Sequence, residues 1–383
     1  MRNRIKIVYI LSAAFMGGAT ISFMNMLKGL IPKGIEPIVL YPKHGKKDDA
    51  FMSFLSDNNI KSYGVIVTAS ALYRPRTMSQ LFRWPLSFCS MMVKKTASLF
   101  SISRIIKNEK PDIIHTNVGV IHEGLKIAKK YGIPHVMHLR EYQDKDFDWM
   151  IFPSKKSFER LIKKSDEIVC ITEGIREHFN LQACNNASVV YNGIYPKENT
   201  SYCRQKENYF LCASRVVPVK GHHDVISAFA HFYKNHSDYK LIIAGFGDAQ
   251  YMDKLKSMAV ELQCSEAVEF VGYVNDVRNL MRKAKALIVG SIYEGFGRMT
   301  AEACYNGCLV IGRETGGTKE ILDRTGGLFF NDITSLADCM ESVSCLTDEQ
   351  YEEKALLAQS IAIDTYSIEN NVDNIYNIYK KLI

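Results

Sequence analysis

The sequence predicts an α/β protein made of two doubly wound, Rossmann-like domains facing a cleft. Three observations carry that prediction. Short apolar runs rich in β-formers alternate with amphipathic helical stretches along nearly the whole chain, the pattern of parallel sheets with crossover helices. The alternation breaks once, at the polar stretch GIYPKENTSYCRQKEN (193–208), and restarts at Tyr209. A length of 383 residues, at about 150 residues per domain, suits two domains with a core each.

The first unit opens with IKIVYIL (5–11), which runs to a Gly17-Gly18 turn. From Thr20 onward Ile21, Met24, Leu27 and Leu30 repeat at helical spacing. Strand, glycine loop and helix begin a nucleotide-binding α/β unit, so Arg2, Arg4 and Lys6 are read as flanking charge and not as the start of a secretory signal. Further strands are expected at 36–41, 63–68, 112–117, 134–139 and 167–172, then at 209–214, 240–245, 268–274, 286–291 and 309–314. Apolar residues 225, 226, 228, 229, 232 and 233 mark a helix in GHHDVISAFAHFYKNH. Residues 372, 375, 376, 379 and 383 mark a last amphipathic helix. The expected domains are 1–192 and 193–368, with 369–383 as the terminal helix.

Composition excludes several classes. With 47% hydrophobic and 23% charged residues the chain is neither disordered, collagenous nor a coiled coil. Its 10 cysteines contain no CxxC pair, which reads as reduced thiols of a cytoplasmic protein and gives no zinc site. The net charge of +7 is unevenly spread, because no Asp or Glu occurs from Asn58 to Asn108. There Lys61, Arg74, Arg76, Arg83, Lys94, Lys95, Arg104 and Lys107 alternate with Leu81, Phe82, Trp84, Leu86, Phe88, Met91, Met92, Val93, Leu99 and Phe100. The stretch reads either as a peripheral contact with an anionic membrane surface or as buried helices with a basic solvent face. No nucleic-acid motif accompanies the charge, so nucleic acid is not an expected partner, and Lys94-Lys95 interrupts the run too early for a membrane span.

Ligands of doubly wound sheets bind beyond the carboxyl ends of the strands, so the strand exits hold the candidate chemistry. In SIYEGFGRMTAEACYNG (291–307) a strand ends, Glu294 opens a loop with Gly295 and Gly297, and a helix begins near Met299 and carries Glu302. Free N–H groups at a helix start suit a phosphate. Eight positions span about 12 Å in a helix, too far for a glycosidase pair at roughly 5 to 9.5 Å, so the two carboxylates read as hydroxyl acceptors for two sugar rings. Alone they read equally as a loop charge and a solvated helix residue. A second cluster changes this: Arg215 closes YFLCAS and Lys220 precedes Gly221 and a helix, two cations placed for a diphosphate. Asp144-Lys145-Asp146 reads as a solvated acidic loop, with no catalytic metal expected, and GFGD (245–248) lacks the third glycine of a dinucleotide fingerprint.

Arg215-x4-Lys220-Gly followed by Glu294-x7-Glu302 resembles glycosyltransferase family 4 of the GT-B fold. The resemblance extends over the chain through the Gly17-Gly18 loop, His138 at the end of HVMHL, YNGI (191–194), AGFGDAQ (244–250) and TGGTKEIL (315–322). It implies a retaining transferase that moves a sugar from a nucleotide diphosphate sugar, UDP-sugar before GDP-sugar, to an acceptor hydroxyl, with no further cofactor. By similarity Arg215 and Lys220 hold the diphosphate and neutralise its growing charge, Glu294 contacts the donor sugar and Glu302 accepts from the ribose. The N–H groups of Gly297, Arg298, Met299 and Thr300 meet the phosphates, Gly295 and Phe296 complete the loop, and Gly17 and Gly18 let the first loop approach. A lone His is more often structural, but its strand-end place and the resemblance put His138 beside the transferred sugar, as a positioning group. Arg298 departs from the apolar residue many relatives carry, and Arg140 and Glu141 after His138 are further cleft candidates with unsettled roles. The resemblance also implies that helix 369–383 packs back on the first domain.

The expected activity is therefore polysaccharide or glycolipid assembly with a sugar or lipid-linked acceptor, on the inner face of the membrane. A soluble transferase, a nucleotide-sugar epimerase of the same fold and a non-catalytic nucleotide-sugar scaffold are the alternatives.

Overall fold

The computed structural model describes residues 4–147 and 149–383; Arg2, one of the N-terminal cations, lies outside them. The chain divides into two compact units, Met1–Gly193 with Ile368–Ile383, and Ile194–Ser367.

The N-terminal unit is built on a seven-stranded parallel sheet. Its strands are β1 (Ile5–Ile10), β2 (Ile35–Pro42), β3 (Lys61–Val65), β5 (Ile113–Thr116), β6 (His135–Leu139), β8 (Glu167–Cys170) and β9 (Ala187–Val189), in the order β3-β2-β1-β5-β6-β8-β9. A separate antiparallel pair joins β4 (Ala71–Tyr73) to β7 (Trp149–Ile151). Parallel strands covered by helices on both faces read as continuous apolar runs. That is why β1 is legible: Val8 sits between Ile38 and Ile114 in register, and Ile7 to Ile10 are all fully buried.

One face of this sheet is covered by helix Gly18–Leu30, which buries Phe23, Met26, Leu27 and Leu30. The terminal helix Ile368–Leu382 packs on it and adds Val372, Ile375, Ile378 and Tyr379 to the same core. The close approach needs Gly29, where a Cβ would lie 2.4 Å from Val372 Cγ2. Asn371 Nδ2 fastens the junction by donating to the Tyr191 carbonyl at 2.6 Å.

The long helix Met78–Glu109 starts at Thr77, whose hydroxyl accepts from the Gln80 N–H at 3.2 Å. It turns Met91, Lys95, Ser98, Ile102 and Ile106 inward. Met91 and Lys95 thus leave the basic and apolar surface expected from the sequence, because they belong to the helix's buried stripe; Lys95 Nζ bonds Ser70 Oγ and lies 3.8 Å from Glu123. Lys61 is also committed, to Glu109 at 2.7 Å. Leu81, Phe82, Leu86, Met92, Val93 and Phe100 remain exposed. Among the described residues no helix is long and apolar enough to cross a membrane.

The C-terminal unit carries a six-stranded parallel sheet of β10 (Glu207–Ala213), β11 (Lys240–Ala244), β12 (Val268–Gly272), β13 (Ala284–Val289), β14 (Val310–Arg313) and β15 (Leu328–Phe330), in the order β12-β11-β10-β13-β14-β15. Helix His222–Tyr233 buries Val225, Ile226, Phe229 and Phe232 against Phe210, Leu241 and Ile288. The strand expected at 63–68 ends at Val65, and β4, β7, β9 and β15 were not expected. Each of those four spans three residues, too few to show a period.

Candidate functional site

In both sheets the strand order reverses, and the reversal is where an open α/β sheet leaves a crevice beyond its strand ends. In the C-terminal unit it falls between β10 and β13. The loops leaving these two strands carry Arg215, Lys220 and Glu294.

They are fixed to each other by backbone. Ile292 N–H donates to the Val219 carbonyl at 3.0 Å, and Gly221, at φ 71°, leaves only 2.2 Å between a would-be Cβ and the Gly290 carbonyl oxygen. The TGGT turn locks the other side, since Gly317 N–H donates to the Glu294 carbonyl at 2.9 Å. A Cβ on Gly316 would meet that oxygen at 2.3 Å, and one on Gly317 the Phe296 carbonyl oxygen at 2.1 Å. Three glycines therefore let the two strand exits and the start of helix Gly316–Thr325 stack with backbone against backbone.

On this frame Lys220 Nζ pairs with Glu294 Oε1, and Ser291 Oγ donates to the same oxygen at 2.7 Å. Arg298 Nε donates to Glu302 Oε1 at 2.7 Å, so the cation that departs from the family pattern orients the second carboxylate. Helix Arg298–Tyr305 begins after Gly297 at φ 83° with no side-chain cap and no acid in its first turn, an N-terminus whose dipole and N–H groups favour an anion. Arg215 is exposed and makes no ion pair among the described residues. Tyr195 stands beside Glu302, and its hydroxyl is raised far above its ordinary pKa, first by burial and then by the Glu302 charge.

Two side chains of the expected donor loop are not available at its surface. Phe296 is buried edge-on against Tyr366 at 5.9 Å, and the Thr300 hydroxyl faces Thr318 Oγ1 at 3.2 Å inside the unit. At these positions only the backbone can face a ligand. Arg313, which the sequence did not single out, braces the loop: its Nε donates to the Gly290 carbonyl at 3.1 Å while Nη2 pairs with Asp224. GFGD serves the same frame. Gly247 brings the β11 exit within 1.9 Å of the Val216 carbonyl oxygen, measured from a would-be Cβ, and Asp248 caps the next helix at Tyr251 N–H.

In the N-terminal unit the reversal falls between β1 and β5, and a small pocket there is lined by Ser12, Ala13, Thr20, Asn117, Arg140 and Glu141. Arg140 is its buried cation. Its Nε donates to Asn117 Oδ1 at 2.8 Å and its Nη1 to Asn192 Oδ1 at 2.7 Å; burial draws its pKa down to about 10, against the pull of Tyr379 and Glu141.

His138 does not line this pocket. It is 0% exposed, because its side of β6 faces the terminal helix. The guanidinium can only donate, so Arg140 Nη2 donates to His138 Nδ1 at 3.4 Å and the imidazole proton sits on Nε2. His115 Nε2–H then donates to the same His138 nitrogen at 3.2 Å, and Tyr379 O–H donates to His115 Nδ1 at 2.8 Å. Burial and the Arg140 charge hold both histidines well below their usual pKa, and so neutral. The residue that reaches the pocket is Arg140, two positions on, and His138 supports it from behind.

Gly17 and Gly18 stand at the N-terminus of helix Gly18–Leu30. Gly17 has extended φ −148°, and a Cβ on Gly18 would meet nothing within 4 Å, so the fold itself requires neither glycine. Asp144 is committed to His178 Nε2 at 2.7 Å and Lys155 at 3.4 Å. Burial raises its pKa, but these two partners outweigh that and hold it at about 2. The side chain of Asp146 lies outside the described residues.

Two doubly wound units, each with candidate residues at its switch point, are the architecture of the GT-B fold. Anabaena HepE in complex with UDP has this fold, with a TM-score of 0.77 at 18% identity, covering 98% of this chain and 100% of that one. Residues 16–198 match the family model described as Glycosyltransferase Family 4, and residues 197–355 that described as Glycosyl transferases group 1. The chain belongs to this glycosyltransferase family and is a transferase. An uncharacterised glycosyltransferase of Methanocaldococcus jannaschii is 23% identical over 95% of this chain and 94% of its own. The UDP-Gal:alpha-D-GlcNAc-diphosphoundecaprenol alpha-1,3-galactosyltransferase of Escherichia coli is 20% identical over 76% of this chain and 81% of its own.

Proposed function

We propose that this enzyme transfers a sugar, with retention of configuration, from a UDP-sugar to a sugar or lipid-linked sugar acceptor at a membrane surface, in the assembly of a surface polysaccharide or glycolipid. The observation that carries the donor reading is the β10–β13 exit, where Arg215, in no ion pair among the described residues, the Lys220–Glu294 pair and a helix N-terminus without a side-chain cap share one backbone-locked frame. HepE has been solved with UDP and with UDP-glucose, which supports the choice of nucleotide. The acceptor of the Escherichia coli relative is diphosphoundecaprenol-linked, which supports a lipid-linked acceptor.

In this reading Arg215 and Lys220 take the diphosphate, with the N–H groups of Arg298, Met299 and Thr300 on its other oxygens. Glu294 accepts from a hydroxyl of the donor sugar and Glu302 from the ribose. The bond from C1 to the β-phosphate oxygen breaks while the acceptor oxygen bonds C1 from the same face. The acceptor proton passes to the departing phosphate oxygen, whose charge the two cations stabilise. Gly17 and Gly18, which the fold does not need, leave the first loop bare for the approach of a ligand. The exposed apolar residues of helix Met78–Glu109 and its cations Arg83, Lys94, Arg104 and Lys107 rest on the anionic bilayer.

The test is thermal stabilisation of the full chain by UDP, GDP, ADP and CMP, with Arg215→Ala and Glu302→Ala as controls. A ligand at about 100 times its Kd adds about 2.7 kcal/mol. UDP should stabilise the wild type and neither variant; stabilisation by none of the four would remove the donor reading.

A further inference from the structure

The helix Met78–Glu109 presents three faces. At about 100° per residue, Met91, Lys95, Ser98, Ile102 and Ile106 point into the unit. Leu81, Phe82, Leu86, Met92, Val93 and Phe100 form an exposed apolar arc on another side. Between these faces runs a polar stripe of Arg83, Ser87, Ser90 and Lys94, at i, i+4, i+7 and i+11.

The stripe borders a groove with about 440 Å³ of open space, whose opposite wall is made by Thr68, Ala69, Ala71 and Leu72. Two properties of this groove point to a ligand. Arg83 and Lys94 stand at its two ends, about 16 Å apart along the axis at 1.5 Å per residue, and neither makes an ion pair among the described residues. Between them the lining combines small side chains and hydroxyls with the apolar Leu72, Leu86 and Met91, and among the described residues the space beside the two cations stays open. Leu86 belongs both to the groove and to the exposed apolar arc, so the two surfaces are continuous.

We propose that this groove seats the headgroup phosphate of an anionic phospholipid. The guanidinium of Arg83 grips two phosphate oxygens, Lys94 supplies a second charge, and Ser87, Ser90 and Thr68 offer hydroxyls. The acyl chains of the same lipid then lie along the apolar arc from Leu86, while the long stems of Arg83 and Lys94 reach to headgroup level. Charge complementarity selects the occupant: two uncompensated cations beside an apolar arc match a molecule with an anionic head and an apolar tail. The inference rests on the membrane reading above and adds to it a defined lipid site.

Flotation of the full chain with phosphatidylcholine vesicles, and with vesicles of phosphatidylcholine and phosphatidylglycerol, tests it. Two double variants are compared, Arg83→Ala/Lys94→Ala at the groove and Arg104→Ala/Lys107→Ala further along the same helix. Each removes two exposed cations, and diffuse attraction at about fivefold per charge weakens both by about thirtyfold. A lipid site makes the groove variant bind the mixed vesicles at least tenfold more weakly than the control variant. Equal losses overturn the groove and leave the membrane reading standing. A wild type that stays unbound to the mixed vesicles removes the membrane reading and the groove with it. Unchanged melting temperatures of both variants show that the substitutions have not cost the fold.

Discussion

Lys220 and Glu294, 74 positions apart in the chain, form an ion pair at the strand reversal of the C-terminal sheet, with Ser291 Oγ bonded to the same carboxylate oxygen. Each side chain of the pair is 20% exposed. Neither residue reaches the other by local structure: the contact exists because β10 and β13 are neighbours and the backbone of their exits is joined.

The pair separates function from stability. A partly exposed ion pair contributes at most about 1 kcal/mol, so Glu294→Gln, which keeps shape and removes charge, should shift the melting temperature by only a few degrees. Transfer should fall by about 10² to 10³ in kcat, the range for losing one well-placed polar group at a reacting centre. Full turnover in the variant would take Glu294 out of the site.

Gly18→Ala tests the first loop. The helix start has room for the methyl, and Ala is favoured over Gly in a helix by up to about 1 kcal/mol. The expected outcome is a melting temperature equal to or above wild type together with at least a tenfold loss of transfer. Unchanged transfer would mean that no ligand comes close to this loop.

How much of this was legible follows from the distance over which each contact acts. β1, β10 and β13 could be read because strands of a parallel sheet are apolar throughout, and Arg215, Lys220 and Glu294 because they directly follow such runs. The Arg298–Glu302 pair is i,i+4 and local, yet Arg298 could be seen only as a departure. Arg313 was out of reach, because its partner Asp224 is 89 positions away. His138 was misplaced for the same reason. Strand alternation says that neighbours point to opposite sides but not which side is covered, and His138 is covered by a helix whose Tyr379 lies 264 positions from His115.

Tyr379→Phe removes the O–H that His115 Nδ1 accepts and leaves a fully buried acceptor without its donor, which costs about 1 to 3 kcal/mol. The melting temperature should fall accordingly, and transfer should fall with it if the histidines hold Arg140 in place. A stability loss with turnover unchanged would confine the chain of contacts to a structural role.

The N-terminal unit should be acid-labile. Burial is the first cause of a lowered pKa at four of its histidines: His122 and His135 at about 3, His115 and His138 well below the usual value. In the unfolded chain each binds a proton near pH 6.5, while the folded unit keeps them neutral. Full stability therefore holds above about pH 6.5 and is lost as the pH falls below it, at about 1.4 kcal/mol per histidine per pH unit. Four histidines cost about 5 kcal/mol per unit, comparable to the whole stability of a domain at about 5 to 15 kcal/mol. Circular dichroism against pH should show native structure failing within one to two units below about pH 6.5. Native signal retained to the pKa of His135 would contradict the buried, neutral assignment.

The terminal helix offers the sharpest packing test. Gly29 lies in the last turn of helix Gly18–Leu30, where Ala would ordinarily stabilise by up to about 1 kcal/mol. Here its methyl would stand 2.4 Å from Val372 Cγ2 and 3.2 Å from Val372 Cβ, and overpacking of this kind costs about 1 to 3 kcal/mol. The clash should win, so Gly29→Ala lowers the melting temperature. Val372→Ala alone opens a cavity at a buried site and also destabilises. Together the two substitutions exchange the volumes across one contact, and the double variant should be more stable than the sum of the single losses predicts. Strict additivity in that double-mutant cycle would mean that helix Ile368–Leu382 does not seat on Gly29.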